Sequence, residues 1–187
     1  MNPSSALKLC QDISLVQVTL EHAANMARWM EDPIISHNLG LRSTPSLEKT
    51  IIWIENALQS QDIYPFAILY KGQHVGNVIV DRIDRYLETG RLSIYIGEES
   101  ARGIGAGLTG IYLALDQCFN TLGLHKVWIT VHTRNFPSIR TFTRLGFSLE
   151  GILREEFYLD GERLSVFYMG LLRDEFLHLK IDPAENL

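Results

Sequence analysis

Strand-like and helix-like patterns alternate along the whole chain, which predicts a single α/β (α+β) domain rather than a helical bundle or an all-β sandwich. Two further observations set that class. Residues 12–179 contain no Pro/Gly/Ser-rich linker and no internal repeat, so the alternation belongs to one unit. The 187 residues, 46% hydrophobic and 21% charged, are enough to build a core without disulfides or metal. One domain is expected over 1–187, with the folded core at about 10–176 and a C-terminal tail at 177–187.

Residues 13–19 are short and β-branched and read as a strand. Ala23, Met26, Ala27 and Met30 recur at helical spacing across 21–30, and Asp32-Pro33 ends that helix. Residues 33–45 read as loop. Ser46 then caps a helix with Ile51, Ile54 and Leu58 on one face. Strands at 66–70 and 74–80 around Lys71-Gly72-Gln73 form a hairpin, and a third strand follows at 91–96. Leu108, Ile111, Tyr112, Leu115, Cys118, Phe119 and Leu122 give the strongest helical period, closed by Gly123. A strand at 126–131 leads to a short helix at 137–145, which begins at a proline and is stopped by Gly146. A second hairpin, 147–158 and 164–172 around Asp160-Gly161, and a peripheral helix at 173–179 complete the chain.

Composition removes several classes. With 17 Lys+Arg against 22 Asp+Glu the formal net charge is −5, which lowers the expectation of nucleic-acid binding and is compatible with a cationic substrate such as an amine. Cys10 and Cys118 cannot make a disulfide framework, and neither sits in a metal-type spacing. The six histidines include no i, i+4 pair, so no metal site is expected. The uncharged run 103–115 falls short of the ~20 residues of a membrane span. Residues 1–5 lack the basic region of a signal peptide. These readings point to a reduced, cytoplasmic protein without nucleic-acid or membrane partners, and leave a homodimer open. Trp29, Trp53 and Trp128 read as core.

The most informative segment is Arg102-Gly103-Ile104-Gly105-Ala106-Gly107, between a strand and the long helix. Backbone N–H groups in such a turn converge on an anion, and the helix N-terminus and the Arg102 cation add positive potential. Phosphate binding is the natural hypothesis; the alternative is a turn that only reverses the chain. A Walker A loop would need Gly-Lys-Ser/Thr, whereas Leu108 and Thr109 follow Gly107. Residues 105–110 match Gly-x-Gly-x-x-Gly, but no acidic residue stands about 20 positions on, where Thr130 and Val131 are found. A dinucleotide-dependent reductase therefore ranks third among the readings.

The spacing Arg-x-x-Gly-x-Gly, followed by Leu124-His125-Lys126-Val127, Asn135 with Ser138-Ile139-Arg140, Leu145-Gly146-Phe147, Glu150-Gly151 with Leu153-Arg154, Asp160-Gly161 and Met169-Gly170, resembles the GCN5-related N-acetyltransferase (GNAT) superfamily. The succession is similar to the RimJ/RimL-type branch over about residues 92–176. The resemblance implies a mixed, mostly antiparallel central sheet flanked by helices, with a splayed strand pair holding acetyl-CoA. It implies direct transfer of the acetyl group to a primary amine, either a protein N-terminus such as that of a ribosomal protein or a small amine or aminosugar. On this likeness Arg102, Gly103, Ile104, Gly105, Ala106 and Gly107 hold the pyrophosphate. Ile94, Tyr95 and Ile96 pair with the pantetheine arm and supply oxyanion N–H groups, and Asn135 and Ser138 contact the coenzyme. A non-catalytic acyl-CoA sensor or interaction module on the same fold is the rival.

Deprotonation needs a base, because an aliphatic amine with a pKa of about 10.4 is almost wholly protonated at neutral pH. Glu88, Asp81 and His132 are the candidates. Relatives commonly place a tyrosine four residues after the serine to protonate the leaving thiolate; here Phe142 stands there. Ser138, Tyr95 or water then remains for that role, and Phe142 reads as core. Ser165 occupies a position that is often acidic in the branch. Positive charge for the coenzyme has to gather locally, around Arg102 and around Arg134, Arg140 and Arg144 near the short helix, leaving the acidic surface to favour a cationic acceptor.

Overall fold

The computed structural model describes residues 6–159 and 161–182. Residues 1–5, Asp160 of the second hairpin turn and the end of the expected tail at 183–187 lie outside them. The strands are β1 (Ile13–Gln17), β2 (Tyr64–Tyr70), β3 (Gln73–Asp84), β4 (Thr89–Ile96), β5 (Lys126–His132), β6 (Ser148–Leu159) and β7 (Glu162–Leu172). They form one seven-stranded sheet in the order β1-β2-β3-β4-β5-β7-β6. Only β4 and β5 run parallel. This is the mixed, mostly antiparallel sheet expected. The helices are α1 (Ala23–Met30), α2 (Pro33–Asn38), α3 (Leu47–Gln59), α4 (Ala106–Asp116), α5 (Phe136–Arg144) and α6 (Arg173–Leu177).

Helix α4 covers one face of the sheet. Its Ile111 and Leu115, with Phe119 beyond it, pack on Ile68, Val78, Val80 and Leu92. Each such fully buried side chain contributes roughly 1.5–3 kcal/mol. On the opposite face α1 and α3 cover β1 and β2, through Ala23, Met26 and Ile54 against Val18 and Ala67. The cover stops there. In β5 only Val127, Ile129 and Val131 are buried, while Lys126, Trp128, Thr130 and His132 on the other face are half-exposed. Trp128 is accordingly not core: it stacks on Tyr168 of β7 with ring centroids 5.0 Å apart.

Several expectations are corrected. The stretch read as loop contains α2, because Asp32 accepts a hydrogen bond from the Ile34 N–H at 2.8 Å and Pro33 sits at a position that needs no donor. The buried face of α3 is Thr50, Ile54 and Ala57, leaving Leu58 exposed. The long helix is α-helical only to Asp116 and continues as a π-helical turn over Gln117–Thr121. Leu7 is also buried and pairs with Ile181, with the Leu7 N–H donating to the Lys180 carbonyl at 2.8 Å.

The feature that positions the site is a short parallel ladder. β4 and β5 pair only through Thr89, Gly90 and Arg91 with Lys126, Val127 and Trp128. Past that point neither strand has a ladder partner on its facing edge, and the sheet opens.

Candidate active site

A cavity of about 650 Å³ fills the opening between β4 and β5. Its lining runs from Ser93, Ile94, Tyr95 and Ile96 on one strand to Thr130, Val131 and His132 on the other. The glycine loop closes one end, since Arg102, Gly103, Gly105, Ala106 and Gly107 all line it. Gly103 has φ +84° and Gly105 has φ +90°, and Gly105 is the residue before α4. A side chain is strained at such angles, so glycine is what lets the loop turn its peptides toward the cavity. The first N–H groups of α4 have no acceptor within the helix and carry its positive partial charge. Empty space lies above Gly103, where a β-carbon would meet nothing within 4 Å. Backbone donors, a helix N-terminus and open room together fit a pyrophosphate. Arg102 is turned aside, toward Asp32 at 3.5 Å and Glu99 at 3.6 Å, with Nη2 donating to the Ile96 carbonyl at 3.4 Å.

The other wall comes from side chains that the sequence keeps far apart. Ile34, Ile35, Asn38 and Leu39 of the α2 region, Phe157 of β6 and Val166 of β7 all line the cavity. Helix α2 is fastened across the opening at three points. Asp32, its N-cap, faces Arg102 on the β4 side. Asn135 Nδ2 donates to Asn38 Oδ1 at 3.0 Å, and His132 Nε2 lies 3.3 Å from the His37 carbonyl. A carbonyl only accepts, so that contact places a hydrogen on Nε2. Nδ1 is buried and has no hydrogen-bond partner among the described residues.

A sequence model described as "Acetyltransferase (GNAT) domain" matches residues 12–148. The chain belongs to the GNAT acetyltransferases. Spermidine N(1)-acetyltransferase of Escherichia coli K12 is 24% identical over 177 residues, covering 95% of this chain and 89% of that protein. An uncharacterized SPbeta prophage-derived N-acetyltransferase of Bacillus subtilis is 29% identical over 148 residues, 79% of this chain and 82% of that one. Among solved structures, spermidine N-acetyltransferase of Vibrio cholerae in complex with CoA and spermine superposes with a TM-score of 0.85 at 21% identity, covering 90% of this chain and 100% of the other. RimJ of Mycobacterium smegmatis in complex with CoA-disulfide gives 0.77 at 20% identity, over 87% and 83%. The chain is thus an acetyl-CoA-dependent N-acetyltransferase, with acetyl-CoA as donor. The narrower RimJ/RimL-type likeness has RimJ as a fold neighbour, beside polyamine acetyltransferases.

In this GNAT enzyme the sequence candidates do not all converge. Ile94, Tyr95, Ile96, Asn135, Ser138, Phe142 and the glycine loop border one cavity, as does His132. Ile104 belongs to the same loop but does not line it and is 38% exposed. Glu88 lies at the closed end of β4, roughly 20 Å of strand from Tyr95. Its carbonyl accepts from the His125 and Lys126 N–H groups at 2.7 and 3.2 Å, which makes it a turn residue remote from the cavity. Asp81 holds Arg91 through both carboxylate oxygens, at 2.7 and 2.6 Å, so it is not a free base.

Tyr95 is not placed to give up a proton. Its hydroxyl donates to Asn77 Oδ1 at 2.9 Å and burial pushes its pKa upward. Ser138 sits one turn into α5, whose N-cap Asn135 accepts from the Ser138 N–H at 3.3 Å. Phe142 is buried against Phe147 with centroids 5.2 Å apart, and it also lines the cavity. Ser165 accepts from the Glu155 N–H at 3.1 Å and so supports the β6 bulge. Of the three arginines expected to gather near α5, only Arg144 reaches the lining, and Arg134 pairs with Glu162 at 3.6 Å.

Sequence reasoning missed α2 as a wall. The signal was present in Asp32-Pro33 read as an N-cap with a proline inside the first turn rather than as a stop. No helix among the described residues is long and apolar enough to cross a membrane. No group of three His, Cys, Asp or Glu that could hold a metal occurs among them either.

Proposed function

We propose that this enzyme acetylates a small primary amine, which enters from the α2 side while the coenzyme lies across β4 and the glycine loop. The observation that carries the reading is His132. Its Nδ1 is buried without a hydrogen-bond partner among the described residues, and the residue lines the same cavity as Thr130 and the β4 residues that lie past the parallel ladder.

The chemistry divides among this chain's residues. The N–H groups of the glycine loop and of the first turn of α4 hold the pyrophosphate, with Arg102 and Arg144 as side-chain cations at that end. Acetyl-CoA supplies an activated thioester. Backbone N–H groups of residues 94–96, on a strand edge without a ladder partner, form the hole that stabilises the oxyanion as the amine attacks. His132 Nδ1 accepts, directly or through one water, the proton whose loss gives the ammonium nitrogen the lone pair with which it attacks, while the His37 carbonyl keeps its tautomer. Ser138, four residues before the position at which relatives carry a tyrosine, lines the cavity, and with solvent it serves the departing sulfur.

A small acceptor is supported by the α2 residues that line the cavity and by relatives named for spermidine. The order of motifs from the glycine loop to Met169-Gly170 supports a place beside the RimJ/RimL-type branch. A reaction that releases a free thiol, in a chain with two free cysteines, agrees with a reducing, cytoplasmic setting. The test is thiol release from acetyl-CoA over a panel of amines and peptides. Turnover of small amines is expected; turnover of peptide N-termini alone would overturn the reading.

A further inference from the structure

Every residue from Ile152 to Tyr158 is exposed except Phe157, and Phe157 lines the cavity. The strand is rebuilt locally to bring that one side chain in. Leu153 pairs with Val166 and Phe157 with Leu164, so β6 takes four steps where β7 takes two and carries two extra residues. Glu155, inside this bulge, has φ +53°, a left-handed conformation that is unfavourable without glycine, and the Ser165 hydroxyl holds it by accepting the Glu155 N–H at 3.1 Å. Bulges beside a site commonly re-aim a side chain. His132 pairs with Val166, and residues two apart along a strand share a face, so Phe157 stands on the same face as His132.

The Phe157 ring touches two elements of the site. It meets the His132 imidazole in a T-shaped arrangement, with centroids 5.1 Å apart and planes at 72°. It also lies against Gly40, just past α2, where a β-carbon would fall 2.5 Å from Cε1. Gly40 has φ +68°, and its N–H donates to the His37 carbonyl at 3.0 Å, the same carbonyl that faces His132 Nε2 at 3.3 Å. The imidazole is thus tied to the end of α2 twice, directly through a carbonyl and indirectly through a ring packed on a glycine. A single hydrogen bond fixes one atom and lets the imidazole swing about it. Contact with a second ring removes that swing.

We propose that Phe157 is a positioning residue for the transfer step. Brought in by the β6 bulge and seated on Gly40, its ring holds the His132 imidazole in the orientation in which Nδ1 takes the proton of the acceptor. Phe157 has no donor, acceptor or charge, so it acts on the chemistry only through His132. The inference rests on the reading of His132 as the base and adds the residues that orient it.

A double-mutant cycle on kcat tests it, with the parent, His132→Ala, Phe157→Ala and the double variant assayed at saturating acetyl-CoA on the small amine that the parent turns over best. Phe157→Ala should lower kcat by about tenfold to 100-fold when His132 is present, as misplacement of a reacting group does. In the His132→Ala background the same change should cost less than about twofold, because no imidazole is left to misplace. Acceptor KM should move less than kcat, and acetyl-CoA affinity by calorimetry should stay as in the parent. Phe157→Leu, which keeps an apolar side chain on Gly40, should retain part of the rate; it carries the same cycle if circular dichroism shows Phe157→Ala unfolded. Gly40→Ala, which drives a methyl group into the ring, should lower kcat in the same His132-dependent way. Equal losses in both backgrounds, a loss carried by acceptor KM alone, a parallel loss of acetyl-CoA affinity or parent-like kcat in the Phe157 variants would overturn the inference and leave His132 as the base. Full kcat in His132→Ala would overturn the base reading, and the inference with it.

Discussion

The two walls of the cavity are made in different ways. The coenzyme wall is one continuous run, from Ser93 on β4 to Gly107 in α4, and what it offers is backbone: unpaired strand N–H groups, two glycines at φ +84° and +90°, and a helix N-terminus. The acceptor wall is assembled from α2, β4, β5, β6 and β7, and it offers side chains held by other side chains. Backbone donors suit a group common to every donor molecule, whereas the second wall is made of side chains such as His132 and Phe157. On the proposed reading the first wall holds the coenzyme and the second selects the amine.

The sharpest way to break that contrast is to remove chemistry from the acceptor wall alone. His132→Ala should lower kcat by about 100-fold or more, the usual contribution of a general base. Acetyl-CoA affinity should be unchanged, because His132 contacts the α2 carbonyl and the Phe157 ring rather than the glycine loop. Added imidazole should restore part of the rate. A variant that loses coenzyme affinity in parallel, or that shows full kcat, would place the base elsewhere.

The complementary change strikes the backbone wall. Gly105→Glu puts a side chain at φ +90°, where an L-residue is strained by about 1–2 kcal/mol, and a negative charge beside the phosphate donors. A β-carbon there has room, with Cys10 Cβ at 3.8 Å as its nearest neighbour. The protein should stay folded by circular dichroism while its Kd for acetyl-CoA, measured by calorimetry, rises by at least about tenfold. Unchanged affinity would show that the phosphates lie elsewhere.

The same contrast explains what could be read from the sequence. The turn at residues 102–107 was legible because positive-φ positions are written in glycine, and because α4 announces itself through Leu108, Ile111 and Leu115. The sheet was legible because buried strands are written in β-branched and aromatic residues. The acceptor wall was not. His132 is an ordinary strand residue until the register of β4 with β5 leaves it past the last ladder pair, and that register is a long-range fact. Glu88 was misplaced for the same reason: nothing local says that the three-pair ladder closes beside it and opens at the far end of the strand.

Asn135 joins the two walls and gives an intermediate effect. Its Oδ1 caps α5 by accepting from the Ser138 N–H, and its Nδ2 donates to Asn38 of α2. Asn135→Ala should cost about 1 kcal/mol of stability, as loss of an N-cap does. A urea titration reads that directly. Because α2 loses one of its three fastenings, the acceptor KM should rise more than the acetyl-CoA KM. Equal changes in both would mean that the cap alone matters.

The smallest expected effect lies beneath the coenzyme strand. His74 packs between His22 and Trp29 at 4.5 and 4.6 Å, and its Nε2 lies 3.2 Å from Asn77 Oδ1, the atom that also receives the Tyr95 hydroxyl. Burial, with the neighbouring His22 second, lowers its pKa from 6.5 to about 4. A histidine kept neutral by the fold binds its proton more tightly when unfolded. Between pH 6.5 and about 4 the unfolded chain then holds more protons, so stability falls as pH drops through that window, and above pH 6.5 the contribution to the slope vanishes. The weakness falls on the Tyr95 anchor, so acid should loosen the coenzyme wall before the acceptor wall. Thermal melts of the parent and of His74→Gln from pH 7 to pH 4.5 measure it: the parent should lose more Tm across the range, and acetyl-CoA affinity should fall with it. Parallel Tm curves for the two proteins would remove His74 from the acid response and with it any tie between that buried cluster and the coenzyme strand.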